Sequence, residues 1–211
     1  MRNRVTPTGE IVATPQRGAW TGNRGNLHTG TAIVRFHRSR LWIICALHYK
    51  DQRLTQWAPG RYTVLFFHDE AVALSAGHRP CALCRREAYE RYRDAWVEGG
   101  AGSRPSAHDL DRQLHAERLV RGTHQRRLHP MPWRDVPDGA FAMVDGGPAL
   151  VLGDSVVPWT TEGYGPPRRR GRDGDALVLT PPSTVGALGS GYRPQIDASA
   201  GSGPTDPGAG V

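Results

Sequence analysis

The chain is short of several things, and each shortage excludes a class of protein. It holds 3 cysteines in 211 residues; an odd number with one Cys-x-x-Cys pair is no disulfide framework, and a reducing cytoplasm is the expected location. No apolar run comes near the roughly 20 residues of a membrane span. The opening stretch Met1-Arg2-Asn3-Arg4-Val5-Thr6-Pro7 lacks the apolar segment of a secretory signal. No membrane partner is expected. Lysine is almost missing, with Lys50 the only one, so arginine supplies the positive charge. No Gly-x-Ser-x-Gly elbow occurs, and Gly139, Gly146, Gly147 and Gly153 punctuate hairpin turns without the strand–loop–helix context of a phosphate loop.

What is present is a net charge of +7 on a chain long enough to bury a core as one medium domain or two small ones. Such an excess points to an anionic partner, and the planar guanidinium fork suits phosphate better than an ammonium does. A GC-rich genome also produces abundant Arg, Ala and Gly with little Lys, so the charge supports nucleic-acid contact without specifying it.

The pattern along the chain predicts an α+β fold: a small antiparallel sheet with helices in the N-terminal half, then a mostly β C-terminal half. Residues 1–28 read as an irregular arm with one short strand at Glu10–Ala13. Residues 29–98 form the first domain. Ala32–His37 and Leu41–Tyr49 look like a hairpin, Gln52–Trp57 like a third strand and Tyr62–Phe67 like a fourth. Asp69–Ala76 is a short helix with an acidic start and Gly77 as its stop. Arg86–Val97 is a second helix, with Tyr89, Tyr92 and Trp96 on one face. Residues 99–106 have linker composition. Over 107–197 a helix from Asp109 to Val120 precedes short strands at 140–144, 149–152, 156–159 and 176–180, then a helix capped by Ser183. The tail 198–211 has the composition of disorder.

The sharpest motif is Gly77-His78-Arg79-Pro80-Cys81-Ala82-Leu83-Cys84-Arg85-Arg86. Two cysteines separated by two residues bring both sulfurs to one metal ion, and neighbouring cations favour the thiolate. A closed zinc site needs four ligands. Cys45, the only other cysteine, is the natural third. The fourth is open among His28, His37, His48 and His78; His28, in an irregular segment free to bend, is favoured. His48 falls on the strand face opposite Cys45.

The run from Val64 to Arg86 resembles the second half of the Ada-type zinc-binding domain: an apolar strand, an acidic-start helix ending in Ala-Gly, a turn with Arg-Pro, then Cys-x-x-Cys-Arg. The resemblance covers about a tenth of the chain by direct counting of these positions. It implies that Cys81 and Cys84 are the downstream zinc ligands and that Cys45 matches one of the upstream pair, whose second cysteine this chain lacks. In that family one upstream cysteine accepts a methyl group from a DNA phosphotriester. The chain also looks like a family of uncharacterised bacterial proteins of similar length and motif order.

Arginines cluster around the knuckle (Arg79, Arg85, Arg86, Arg91, Arg93), between Arg118 and Arg134 (with Arg126, Arg127 and two histidines), and at Arg168–Arg172. Arg79, Arg85, Arg86, Arg126 and Arg127 are the expected nucleic-acid contacts. His115, His124 and His129, with Asp109, Asp111, Glu117 and Asp135, hold the residue types of a metal nuclease without any familiar spacing. The expected function is therefore a zinc-stabilised nucleic-acid-binding protein, with DNA the expected partner. Alkyl transfer at Cys45 and a protein-interaction scaffold are the alternatives.

Overall fold

Strands begin at the start of the chain. The computed structural model describes residues 1–51 and 54–201. β1 (Arg2–Val5) pairs antiparallel with β2 (Ile11–Ala13), and β3 (Trp20–Asn23) follows. β4 (His28–Thr29) and β5 (Ala32–Ile33) form a separate ribbon. β6 (Ile43–Cys45) and β7 (Leu65–Phe67) are short apolar strands, after which α1 (Glu70–Ser75) leads into β8 (Arg79–Pro80). The first sheet has the order β2-β1-β7-β3-β6-β8. It is mixed, because β1 runs parallel to β7 and β6 parallel to β8.

Three expectations change here. The arm over 1–28 is part of the sheet. Its strand signal is masked at Gly22, where a Cβ would lie 2.0 Å from the Ile43 carbonyl oxygen; glycine lets the β3 and β6 backbones approach. The expected hairpin of 32–37 with 41–49 does not form, since β6 is an inner strand held between β3 and β8 with Trp42 and Ile44 fully buried. The expected strand 52–57 begins at Gln52 and Arg53, which lie outside the described residues, and Leu54–Trp57 is not a strand.

The second half follows its pattern more closely. α2 (Arg86–Trp96) buries Tyr89, Tyr92 and Trp96, and it runs on as a π-helical turn over Val97–Ala101. The expected linker is thus partly helical; at Gly99 a Cβ would meet the Gly186 backbone at 2.7 Å. Ser106 and Asp109 form a capping box that starts α3 (Ala107–Arg118). β9 (His129–Pro132), β10 (Phe141–Val144), β11 (Gly147–Leu152), β12 (Ser155–Thr160), β13 (Gly163–Tyr164), β14 (Arg168–Arg169) and β15 (Asp175–Val178) make an antiparallel sheet, and α4 (Pro182–Gly189) follows. Ser183 does not cap α4; its N–H and hydroxyl donate to Glu117. Within the expected disordered tail, Ala198–Gly201 forms a 3-10 turn with Ala200 buried. The larger apolar core draws residues from Val5 to Tyr192, so both halves share it.

Every residue of α1 is buried, and its acidic start does more than complement the helix dipole. Asp69 caps Val72 N–H and accepts from Tyr164 Oη and Asp197 N–H. Glu70 accepts from Tyr192 Oη at 2.6 Å and Gln195 N–H at 3.1 Å, and pairs with Arg85 at 2.9 Å. These two carboxylates hold the 192–197 segment against the helix.

A cationic cluster is buried beside α1. Arg24 and Arg118 place their guanidinium carbons 4.0 and 3.8 Å from the Trp42 ring centroid. Arg24 Nε donates to His78 Nε2 at 3.2 Å. Arginine only donates, so His78 carries its proton on Nδ1, which faces the Ala73 carbonyl at 3.3 Å. Gly77, at φ +86°, closes the helix, and a Cβ there would sit 2.6 Å from Arg118 Cδ.

Burial, then the neighbouring Arg24 and Arg118, hold His78 well below its ordinary 6.5. Burial also lowers His115, to about 4, and lowers His37 and His129. A histidine depressed in the folded state stabilises the fold above its unfolded value and withdraws that stability as pH falls below it. His78 alone contributes a slope of about 1.4 kcal/mol per pH unit. Asp69 and Asp111, raised by burial, act in the opposite sense at lower pH. The urea midpoint is therefore expected to drop between pH 7 and 5.5; a flat midpoint across that window would contradict a neutral, buried His78.

Candidate metal centre

The register of a parallel strand pair builds this site. Ile44 lies opposite Pro80, and Cys81 N–H donates to the Ile44 carbonyl at 2.9 Å. The next residue on each strand is a cysteine, so Cys45 and Cys81 become neighbours although 36 positions apart in the sequence. The chain then turns over 82–85, with Arg85 N–H bonded to the Cys81 carbonyl at 3.1 Å, and Cys84 is carried back to the same point. The Sγ atoms of Cys45, Cys81 and Cys84 all lie within 4.8 Å of one another.

The backbone is arranged for sulfur. Leu83 N–H points at Cys81 Sγ and Ala46 N–H at Cys84 Sγ, each at 3.4 Å. Donors of this kind stabilise thiolates. The Cys81 thiol is held far below its usual range by hydrogen bonds from Cys45 and Cys84, and Cys45, donating to Cys81 and Cys84, is pushed far up. Three thiolates this close repel, and a cation among them removes that repulsion. The donor set fits a soft or borderline metal ion. Beside the sulfurs opens a cavity of about 190 Å³, lined by Ile43, Leu47, Tyr49, Leu54, Tyr62 and Leu83.

Among the described residues no histidine or carboxylate joins the group. His28 is buried in β4, its Nδ1 2.7 Å from Thr63 Oγ1 and its ring edge-on to Trp57. That polar partner, which also accepts from Leu27 N–H, fixes it elsewhere. His78 serves Arg24, His48 is exposed, and His37 packs with His115 and His124. Among the described residues a tetrahedral ion on the three sulfurs would therefore have its fourth position open to water or another incoming ligand.

The expected nucleic-acid arginines divide. Arg79 is 2% exposed and makes a two-pronged pair with Asp111, Nε–Oδ1 2.9 Å and Nη2–Oδ2 2.8 Å. Arg85 pairs with buried Glu70 and lies 3.8 Å over Trp20. The Arg126 guanidinium donates to the carbonyls of Ser75, Ala76 and Leu179. All three are turned inward, tied to a buried carboxylate or to backbone carbonyls. Arg86 and Arg127 are exposed, Arg86 with an i,i+4 pair to Glu90. Of the nuclease-type set, Asp111 is taken by Arg79, while His115 and His124 come together with His37, a residue the sequence placed near the cysteines instead.

Compared with protein families, curated proteins and solved structures, the chain finds no match.

Elemental analysis of the untagged, reduced protein is expected to give about one metal ion per chain, lost in Cys81→Ser and in Cys45→Ser. Metal retained in both variants would place the ion elsewhere.

Proposed function

We propose that this is a zinc-stabilised nucleic-acid-binding protein. The observation that carries the reading is the meeting of Cys45, Cys81 and Cys84 from two strands and a turn, each of the last two with a backbone N–H on its sulfur. Thiolate donors in a compact group suit Zn²⁺. The resemblance of residues 64–86 to the Ada-type domain supports the same ion. Zinc there ties the edge strand β8 to β6, and its binding energy adds to folding energy. The nucleic-acid half rests on the net charge of +7 and on the arginines left exposed, Arg86 and Arg91 beside the knuckle and Arg121 and Arg127 after α3.

Binding of the zinc-loaded protein to a short DNA duplex and to a single strand is expected to weaken with salt. Arg86→Ala and Arg127→Ala are each expected to lower the slope of log K against log salt by about 0.7–0.9 without changing the melting temperature. Arg79→Ala instead leaves Asp111 buried and unpaired, and costs about 3–5 kcal/mol of stability. Affinity untouched by both exposed substitutions would count against the nucleic-acid reading and leave the zinc reading in place.

A second reading is favoured by the apolar cavity beside the sulfurs. In the zinc-loaded protein, where the ion displaces its proton, Cys45 Sγ would take a methyl group from a DNA methyl phosphotriester: the S–C bond forms, the C–O bond breaks, and the phosphodiester leaves with the electron pair. Peptide mass analysis after incubation with such DNA is expected to show one methyl group on Cys45. An unmodified Cys45 in zinc-loaded protein would remove this reading alone.

A further inference from the structure

A cavity larger than the one at the cysteines lies elsewhere in the fold. It has a volume of about 610 Å³ and lies where the 36–40 segment, the C-terminal end of α3 and the 119–127 loop meet. Its lining includes Arg40, Arg112, Arg121 and Arg127, with His37, His115 and His124, and no aspartate or glutamate.

The site is built rather than incidental. Arg38 and Ser39 N–H both donate to the Arg24 carbonyl, which fixes the 36–40 segment. The 119–127 loop is closed by a Leu119–Arg126 bridge and by Val120 N–H to the Gln125 carbonyl at 3.0 Å. The rings of His37 and His115 are 5.2 Å apart, and those of His37 and His124 5.7 Å. His115 Nδ1 lies 3.0 Å from Arg118 Nη2, and because arginine only donates, the His115 proton sits on Nε2 and remains a free donor.

The positive charge is uncompensated. Arg112 pairs with Asp109 at 2.7 Å, whereas Arg40, Arg121 and Arg127 make no ion pair among the described residues. Behind the histidines lie Arg24 and Arg118, and Asp111, the carboxylate that acts on Arg118, is held by Arg79. The negative end of the α3 dipole amounts to about half a charge, too little to balance three guanidinium groups. A solvated arginine face needs no cavity; here the arginines ring one whose volume is that of a small-ligand site.

We propose that this cavity binds a phosphomonoester of nucleotide size, with Arg40, Arg121 and Arg127 on the phosphoryl oxygens and the three histidines as further donors. A dianion is the ligand whose charge matches such a lining, and the guanidinium fork fits its oxygens. The phosphate belongs either to a free nucleotide or to the end of a strand; the proposal rests on the nucleic-acid reading only for the second source.

The test uses the whole 211-residue chain, zinc-loaded, and isothermal titration with three probes: a deoxynucleoside 5′-monophosphate, a single-stranded oligonucleotide with a 5′-phosphate, and the same oligonucleotide with a 5′-hydroxyl. Arg40→Ala and Arg121→Ala are exposed and are expected to keep the wild-type melting temperature. A 5′-phosphate that tightens strand binding by about tenfold or more, with the gain lost in both variants, supports the strand-end source. A monophosphate that binds alone and weakens about tenfold in each variant supports the free-nucleotide source, and does so even if neither oligonucleotide binds, the result in which the nucleic-acid reading fails and the cavity stands. Monophosphate that does not bind, together with equal affinity for the two oligonucleotides, overturns the proposal; so does affinity unchanged in both variants. In those cases DNA binding that still depends on Arg86 leaves the nucleic-acid reading standing without this cavity.

Discussion

Parallel pairing of β6 with β8 is the constraint on which both candidate sites depend. It consists of two residue pairs, Ile43 with Arg79 and Ile44 with Pro80, reinforced by Arg79 N–H to the Trp42 carbonyl and Cys81 N–H to the Ile44 carbonyl. At one end of this short ladder the next residues are Cys45 and Cys81, and the thiol cluster follows. At the other end Trp42 meets His78 and the guanidinium groups of Arg24 and Arg118, and Arg118 Nη2 reaches His115 in the lining of the basic cavity. A shift of register by one residue would turn Cys45 away from Cys81 and bring the Trp42 indole out of the core.

The arginines of this chain do two kinds of work that composition cannot separate. Arg24, Arg79, Arg118 and Arg126 act as internal struts. Each spreads its donors over carbonyls, one histidine or one carboxylate, and three of them lie over aromatic rings. Taking a guanidinium out of water is costly unless those donors are used, and in Arg24 Nη2, Arg118 Nε and Arg126 Nε the accounting is incomplete. The cluster therefore keeps a positive field inside the protein. That field adds to burial, the main cause, in holding His37 and His115 below the ordinary histidine value.

Legibility in the sequence followed the kind of interaction. The Cys81–Cys84 turn, α1, α2, α3 and the strands β10, β11, β12 and β15 could be read because spacing, caps and periodicity are local signals, whereas β9, β13 and β14, rich in Pro, Gly and Arg, carry no such signal. Cys45 could be read because only one other cysteine exists. The long-range polar choices could not: nothing near His28 in sequence reveals that Thr63 will take its ring nitrogen, and nothing near Gly22 reveals that Ile43 will press on it. Some signals were present and outweighed. Asp111 and Arg118 fall at helical spacing with Leu110 and Leu114, the buried face of α3, so the periodicity that marks a core face also marked these two charges as internal. Arg79 likewise sits in an unbroken buried run from Asp69 to Cys81.

The shortness of β8 gives the metal a structural reason as well as a chemical one. A two-residue edge strand has too few hydrogen bonds to hold its register alone, and edge strands open first in local unfolding. Two tethers flank it. The Arg79–Asp111 pair and the Arg118 donation to the Gly77 carbonyl at 2.8 Å bind it to α3, and at its other end Cys81 stands beside Cys45 of β6. A metal ion at the cysteines would fix the second tether, leaving the Gly77–Cys81 segment anchored at both ends. The same segment supplies the carbonyl that seats Arg118, and Arg118 in turn orients His115 at the wall of the cavity. The path from sulfur to cavity is a chain of direct contacts through one strand, so the order of β8 is the property that the two sites share.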